Sequence, residues 1–110
     1  MKEKSKLIGK HLLIGITVLD EKDKHYKYIQ VHGEITRVTD KAVVIFRKDT
    51  KTEFQIPPAL DNIFPAEPGE YHLQKTNEVV VNPDFTSAWT IYSSNIVDFQ
   101  RFYNFGFDLN

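Results

Sequence analysis

Residues 28–58, YIQVHGEITRVTDKAVVIFRKDTKTEFQIPP, constrain the fold of this chain more than any other stretch. Three runs rich in β-branched and aromatic residues are separated by two short polar turns, 39–41 and 49–51. Strands with connections this short pair with their neighbours in the antiparallel sense. The stretch therefore predicts a meander with strands over 26–38, 42–47 and 52–56.

Two kinds of residue indicate where this meander bends and stops. Gly33 stands among the inward-facing positions of the second strand, and a glycine inside a strand marks a bulge or a sharp coil of the sheet. If Gly33 has a positive φ, we expect Gly33→Val to cost more than about 1 kcal/mol. Pro57 and Pro58 end the ladder because proline has no N–H to donate.

The remaining periodic segments predict further strands over 10–19 and 85–92 and a hairpin over 70–74 and 78–82. We expect the strand over 85–92 to bend near Ser87. The prediction is one mainly β domain over residues 1–110. We expect a small SH3-like or OB-like antiparallel barrel of about seven strands with a short C-terminal helix, with an open sandwich as the alternative.

The two ends of the chain differ from its centre. Residues 1–6 are charged and predicted to be a flexible start, whereas residues 93–110 form an aromatic tail with a helix predicted over 96–103. Eight of the 14 aromatic residues lie between positions 85 and 107. Aromatic residues and arginine are enriched at protein interfaces. The predicted interface residues are Trp89, Phe99, Phe102, Tyr103, Phe105 and Phe107.

The proline-rich connection 57–69 is longer than most loops, and such loops are either functional or packed across the domain. Its apolar Leu60, Ile63 and Phe64 favour a packed crossover. Asp61, Asn62 and Phe64 are the residues we expect at its surface.

Recognisable catalytic motifs are absent from the sequence. The chain has no cysteine, no nucleophile elbow and no phosphate-binding glycine loop. Its four histidines, His11, His25, His32 and His72, lack a metal-ligand spacing and are predicted to lie at the surface or half-buried, although His11 and His32 could meet across a sheet. We predict no catalytic residue, no metal site, no cofactor and no enzymatic activity.

Charge and hydropathy bear on partners and location. The net charge of -1 does not favour nucleic acid, whose binding depends on neutralised phosphates, although Lys41, Arg47, Lys48 and Lys51 leave a local basic patch open.

The chain has neither an apolar leader segment nor a run near the roughly 18 apolar residues of a membrane span. We expect a cytoplasmic protein that does not enter a membrane.

The segments HLLIGITVLD, VHGEI, FQIPPALDNIFPAEPGEY and EVVVNPDFTSAWTIY, in this order, resemble a family of small uncharacterised bacterial proteins. The resemblance covers about residues 10–92, and its most specific parts are the PPAL…PA.PGEY and VVNPDF…W.I patterns. It implies a bacterial, soluble β domain, and it implies no catalytic residue because the family has no established activity.

Three functional hypotheses remain from the sequence. The first is a non-enzymatic protein-interaction module, of accessory or immunity type, that binds a partner or itself through the tail. The second is a nucleic-acid-binding barrel. The third is a small ligand carrier or enzyme, which a deep pocket lined by His32, Tyr71 and Asp61 would favour.

Overall fold

The computed structural model describes residues 4–19, 25–47, 50–73 and 77–92. Almost all regular structure in these ranges is β, with one helical turn at Lys4–Leu7 and one 3₁₀ turn at Leu60–Asn62. The strands are β1 (His11–Leu19), β2 (His25–Val38), β3 (Val43–Arg47), β4 (Thr52–Ile56), β5 (Phe64–Pro65), β6 (Glu70–His72), β7 (Val79–Val81) and β8 (Phe85–Tyr92).

Six strands form one sheet in the order β4-β3-β2-β1-β8-β5, and β6 pairs with β7 in a separate hairpin. The predicted antiparallel barrel is wrong in two respects. First, β8 runs parallel to β1 over its full length, from Leu12 opposite Phe85 to Leu19 opposite Tyr92. Second, β4 and β5 are the outer strands, and no pairing between them closes the sheet within the described residues. The parallel strands β1 and β8 are joined through the meander of β2, β3 and β4 and then through residues 57–84, which lead the chain from β4 to β8.

The meander of β2, β3 and β4 confirms the prediction from residues 28–58. Ile35 pairs with Ile45 and Ile45 with Phe54, so apolar residues lie side by side across three strands. Thr39 closes the first turn, where its Oγ1 accepts hydrogen bonds from the backbone N–H groups of Lys41 and Ala42, each at 3.1 Å. Local turn chemistry and strand periodicity agree here, which is why the sequence alone predicts this part of the sheet.

Gly33 faces the backbone of β3, and its φ is not positive, since Gly9 and Gly69 are the positive-φ glycines of the described chain. A Cβ atom at Gly33 would lie 2.2 Å from the carbonyl oxygen of Phe46. The β2–β3 register shifts just beyond, between Ile35 and Arg37. The expected cost of Gly33→Val therefore keeps its direction, but its cause is close backbone approach rather than a left-handed bend.

The sheet has apolar clusters on both faces, because alternate residues of β1 point to opposite sides. On the first face, Leu12, Ile14, Ile16 and Val18 are fully buried in the main core. The helical turn and the proline-rich crossover add Leu7 and Ile63 to this core. On the second face, Leu13 packs with Leu73 and Val80, which fixes the β6–β7 hairpin onto β1.

The last strand pairs with β1 from Phe85 to Tyr92 without a register shift, so no bulge interrupts it at Ser87, and the bend expected there stays a prediction. The predicted C-terminal helix and the rest of the aromatic tail lie outside the described residues. Among the helices that are described, none has the length and hydropathy needed to cross a bilayer.

Candidate functional site

Two histidines meet on the second face of the sheet. Leu13 pairs with His32, and His11 lies two positions before Leu13, so both imidazoles project from the same face of neighbouring strands. Nε2 of His11 and Nδ1 of His32 are 2.9 Å apart, which is a hydrogen-bond distance. The ring planes are tilted by 38° and the ring centroids are 5.1 Å apart.

The β6–β7 hairpin adds a carboxylate to this pair. Oε2 of Glu78 lies 2.8 Å from Nε2 of His32. The side chain of His32 is 20% exposed and that of Glu78 is 39% exposed, so the ion pair that forms on protonation is partly screened by water. A side chain from β1, one from β2 and one from the residue before β7 thus form one hydrogen-bonded chain.

The chemistry of the carboxylate determines where the protons lie in this chain. An ionised carboxylate only accepts, so His32 must donate Nε2–H to Glu78. In neutral His32, Nδ1 is then an acceptor, and His11 donates its Nε2–H to it.

An open cavity of about 170 Å³ lies beside the histidine pair, and Glu34 and Asp84 are among its lining residues. Asp84 is tied to the first residue of β1, since its Oδ2 accepts from the backbone N–H of His11 and its own N–H donates to the carbonyl oxygen of His11, both at 2.9 Å. The described residues contain no group of three or more His, Cys, Asp or Glu placed to hold a metal ion. The cavity therefore offers imidazoles and carboxylates without a metal-ligand set.

A second concave site, of about 250 Å³, lies on the second face of the sheet, and Tyr71 of the β6–β7 hairpin is among its lining residues. Gly15 and Ala88 are partner residues in the β1–β8 ladder. They and Leu13 line this site together with the aromatic residues Tyr28, Tyr71 and Phe64. We call this site the aromatic groove. Within the part of the chain that the structure describes, no Asp, Glu, Lys, Arg or His lines it.

The structure separates the residues that the third sequence hypothesis would bring together. His32 lines the histidine cavity, Tyr71 lines the aromatic groove, and Asp61 is exposed and lines neither. The predicted basic patch is divided as well, because Lys41 precedes β3 while Arg47 and Lys51 lie at its other end. Lys48 lies outside the described residues.

Two of the predicted surface residues have structural hydrogen bonds. Trp89 is half-buried against the main core, and its indole N–H donates to Ser87 Oγ at 2.9 Å. Ser87 in turn donates to the carbonyl oxygen of Asn62 at 2.7 Å, and the Asn62 amide donates to the carbonyl oxygen of Ala88 at 2.7 Å. These contacts fix the crossover to β8.

Phe64 is the member of the predicted loop surface that exposes an apolar side chain, with 53% of its surface accessible. Ile63 turns inward and is fully buried, so the two neighbours point in opposite directions. The other predicted interface residues, Phe99, Phe102, Tyr103, Phe105 and Phe107, lie outside the described residues.

Glu78 and Asp84 were not among the predicted site residues. Their sequence signal is weak, because an acidic residue near a turn is usually a solvated one. His11 and His32 meet across the β1–β2 pair, as the sequence allowed. The position of Glu78 depends instead on how a separate hairpin packs on the sheet. No family model, curated protein or solved structure matches this chain.

Proposed function

We propose that this protein is a cytoplasmic, non-enzymatic protein-interaction module, an accessory or immunity-type protein of a bacterium. In this proposal it binds a protein partner or a second copy of itself, and both the aromatic groove and the aromatic tail take part. The resemblance of residues 10–92 to small bacterial proteins supports the bacterial assignment.

The observation that carries the proposal is the aromatic groove with the exposed Phe64 at its rim. Contiguous exposed apolar surface rimmed by polar residues is a feature of protein-binding sites. Tyr and Phe supply large contact areas with few rotatable bonds, so they lose little entropy when they are ordered at an interface. The groove's volume, about 250 Å³, is smaller than the roughly 300–1,000 Å³ of typical small-molecule sites. It suits a side chain from a peptide better than a cofactor.

The test compares the full chain with Phe64→Ser as baits in quantitative affinity capture, together with sedimentation velocity over a concentration series. We expect a partner, or a concentration-dependent self-associated species, that Phe64→Ser loses while its melting temperature stays within a few degrees of the parent. Ile8→Ser is the matched control, because Ile8 is also an exposed apolar residue (50%) but lies outside the groove. The proposal is contradicted if the protein stays monomeric over the concentration series and no captured protein differs in amount between the parent and the Phe64→Ser bait.

A second candidate function is a small ligand-binding or enzymatic activity at the histidine cavity. The chain from Glu78 through His32 to His11 favours it, because a carboxylate that fixes the tautomer and orientation of an imidazole is a common element of general acid–base sites. A thermal-shift screen of small organic anions and amines tests it. A stabilising compound whose effect His11→Gln abolishes supports the candidate, and a screen without such a compound removes it.

A further inference from the structure

The β6–β7 hairpin forms a two-stranded sheet of its own, so within the described residues β7 has a neighbouring strand on one side only. Hydrogen bonds at both ends of the ladder show which residues of β7 face β6. The N–H of Leu73 donates to the carbonyl oxygen of Glu78 at 2.9 Å. The N–H of Asn82 donates to the carbonyl oxygen of Gly69 at 2.8 Å. Because alternate residues of an antiparallel strand face the same neighbour, Val80 also directs its backbone N–H and C=O toward β6.

Val79 and Val81 alternate with these residues, so their backbone N–H and C=O groups point away from β6. Over the ranges that the structure describes, none of these four groups forms a hydrogen bond. The two side chains are exposed as well, by 44% and 57%. Unpaired groups at a sheet edge are a template for another strand, and proteins usually protect such edges with charged residues, proline or a bulge. Residues 79–81 are three valines in continuous register, so this edge lacks that protection.

The opposite edge of the same hairpin has a different chemistry. The cross-strand neighbours of Val81 and Val79 on β6 are Glu70 and His72, and both are exposed. A charged side chain on an edge strand disfavours pairing with another strand. The polar edge of β6 is therefore protected, whereas the apolar edge of β7 favours association.

The backbone at both ends of β7 restricts how a second copy can pair with this edge. In an antiparallel pair with twofold symmetry, residues of the same face lie opposite each other, so the possible registers are centred on Val79, Val80 or Val81. Centring on Val79 places Val81 opposite Asn77, whose φ of 58° lies outside the extended region. Centring on Val81 places Val79 opposite Pro83, which has no N–H to donate. The register centred on Val80 alone uses all four outward backbone groups of each strand.

In that register, Val79 of each copy lies opposite Val81 of the other and exchanges two N–H···O=C hydrogen bonds with it, which gives four hydrogen bonds in total. The exposed valine side chains then meet in two cross-strand pairs of β-branched residues, which stabilise a sheet. Glu78 lies opposite Asn82 of the second copy, so no like charges face each other. We therefore propose that two copies of this protein associate through antiparallel pairing of their β7 edges, centred on Val80.

This association goes beyond the proposed function, because no residue of β7 lines the aromatic groove. It joins the hairpins of two molecules into one four-stranded sheet. The contact is short and belongs to the small, weak class of protein interfaces. The dimer is therefore expected at high protein concentration.

Charge changes across the proposed pair test both the surface and the register. Val79→Lys combined with Val81→Lys places lysine opposite lysine twice and should weaken dimerisation at least about tenfold. Val79→Glu combined with Val81→Lys is the matched variant, because it differs at one position and places glutamate opposite lysine. It should keep the parent's dimerisation. In the registers centred on Val79 or Val81 it would instead place two glutamates or two lysines opposite each other.

Sedimentation velocity over a concentration series that reaches about 1 mM measures dimerisation, and thermal melting checks that each variant is folded. Amide hydrogen exchange of the parent identifies the contact. We expect the amides of Val79 and Val81 to exchange more slowly as the concentration rises. The amide of His72, which points away from β7 on the other edge of the hairpin, is the internal reference. This measurement keeps the inference testable if a double variant does not fold.

The inference is supported by a dimer that slows exchange at both valines, that the lysine pair disrupts and that the glutamate–lysine pair retains. It is overturned if the protein stays monomeric throughout the series, or if exchange at Val79 and Val81 is independent of concentration. Equal disruption by the two double variants overturns the assigned register. A dimer that tolerates the lysine pair but is lost in Phe64→Ser overturns this inference and supports the proposed function, so the two can fail separately.

Discussion

Replacing Gly33 by alanine should destabilise the sheet at one defined place, the contact between β2 and β3. The added methyl group would lie 2.2 Å from the carbonyl oxygen of Phe46 and 2.8 Å from its carbonyl carbon. Both neighbours are backbone atoms, so no side-chain rotation relieves the overlap. The two strands must move apart by about 0.8 Å, the difference between 2.2 Å and the 3.0 Å that Cβ contacts in proteins respect.

The size of the effect follows from what this separation breaks. A ladder hydrogen bond lengthened by about 0.8 Å passes beyond the usual 3.2 Å limit, and its loss costs about 1 kcal/mol. Overpacking adds about 1–3 kcal/mol. Alanine also restricts the unfolded chain, which offsets about 0.4–1 kcal/mol. We therefore expect Gly33→Ala to lower the free energy of unfolding by about 2 kcal/mol, equivalent to about 8 °C in Tm for a domain of this size.

Gly15→Ala is the matched control because it makes the same chemical change in the neighbouring strand. Its methyl group would meet the Tyr28 hydroxyl oxygen at 2.5 Å, and this atom is the end of a side chain that can swing away. We expect a cost below about 1 kcal/mol. Urea unfolding followed by Trp89 fluorescence measures both variants. A Gly33→Ala value within about 0.5 kcal/mol of the parent, or equal to that of Gly15→Ala, would refute the backbone-contact argument.

Three further substitutions test the hydrogen bonds that fix the crossover and the hairpin. Ser87→Ala removes a buried hydroxyl that accepts from the half-buried Trp89 indole N–H and donates to the carbonyl oxygen of Asn62, and it should cost about 1–3 kcal/mol in urea unfolding. Thr90→Ala, at an exposed position, should cost less than about 0.5 kcal/mol. His32→Gln disrupts the chain between β1 and the hairpin and should cost about 1–2 kcal/mol. Glu78→Gln keeps an acceptor at a partly exposed site and should cost less than about 1 kcal/mol, so a cost above that of His32→Gln would contradict the central place of His32 in the hydrogen-bonded chain.

Much of the meander could be predicted from the sequence because its determinants are local. The alternation of buried apolar residues around Ile35 and Ile45 depends on residues that are neighbours in sequence. The turn that Thr39 closes likewise depends on residues only a few positions apart. The regular alternation of β1 likewise reveals its buried face. In β8 apolar periodicity alone does not reveal that Ser87 is buried, because its hydroxyl is paired with the carbonyl oxygen of Asn62, a residue distant in sequence.

The candidate sites depend on contacts that no local pattern encodes. The β1–β2 hairpin places His11 near His32, but Glu78 reaches them only because Leu73 and Val80 pack onto Leu13. The aromatic groove likewise requires β8 to lie beside β1, with Ala88 opposite Gly15.

The amino-acid sequence alone therefore determined the meander, the other long strands and the alternating faces of the sheet, but not the short strand β5, since side-chain period and turn chemistry act over neighbouring residues. Only the tertiary structure decided that the sheet stays open within the described residues, that β8 joins β1 in parallel, and that His32 and Tyr71 line two different concave sites. These features arise from pairings between residues about 70 positions apart, such as Leu12 with Phe85. Which strands become neighbours in this way depends on which side chains are buried and on the path of the crossover.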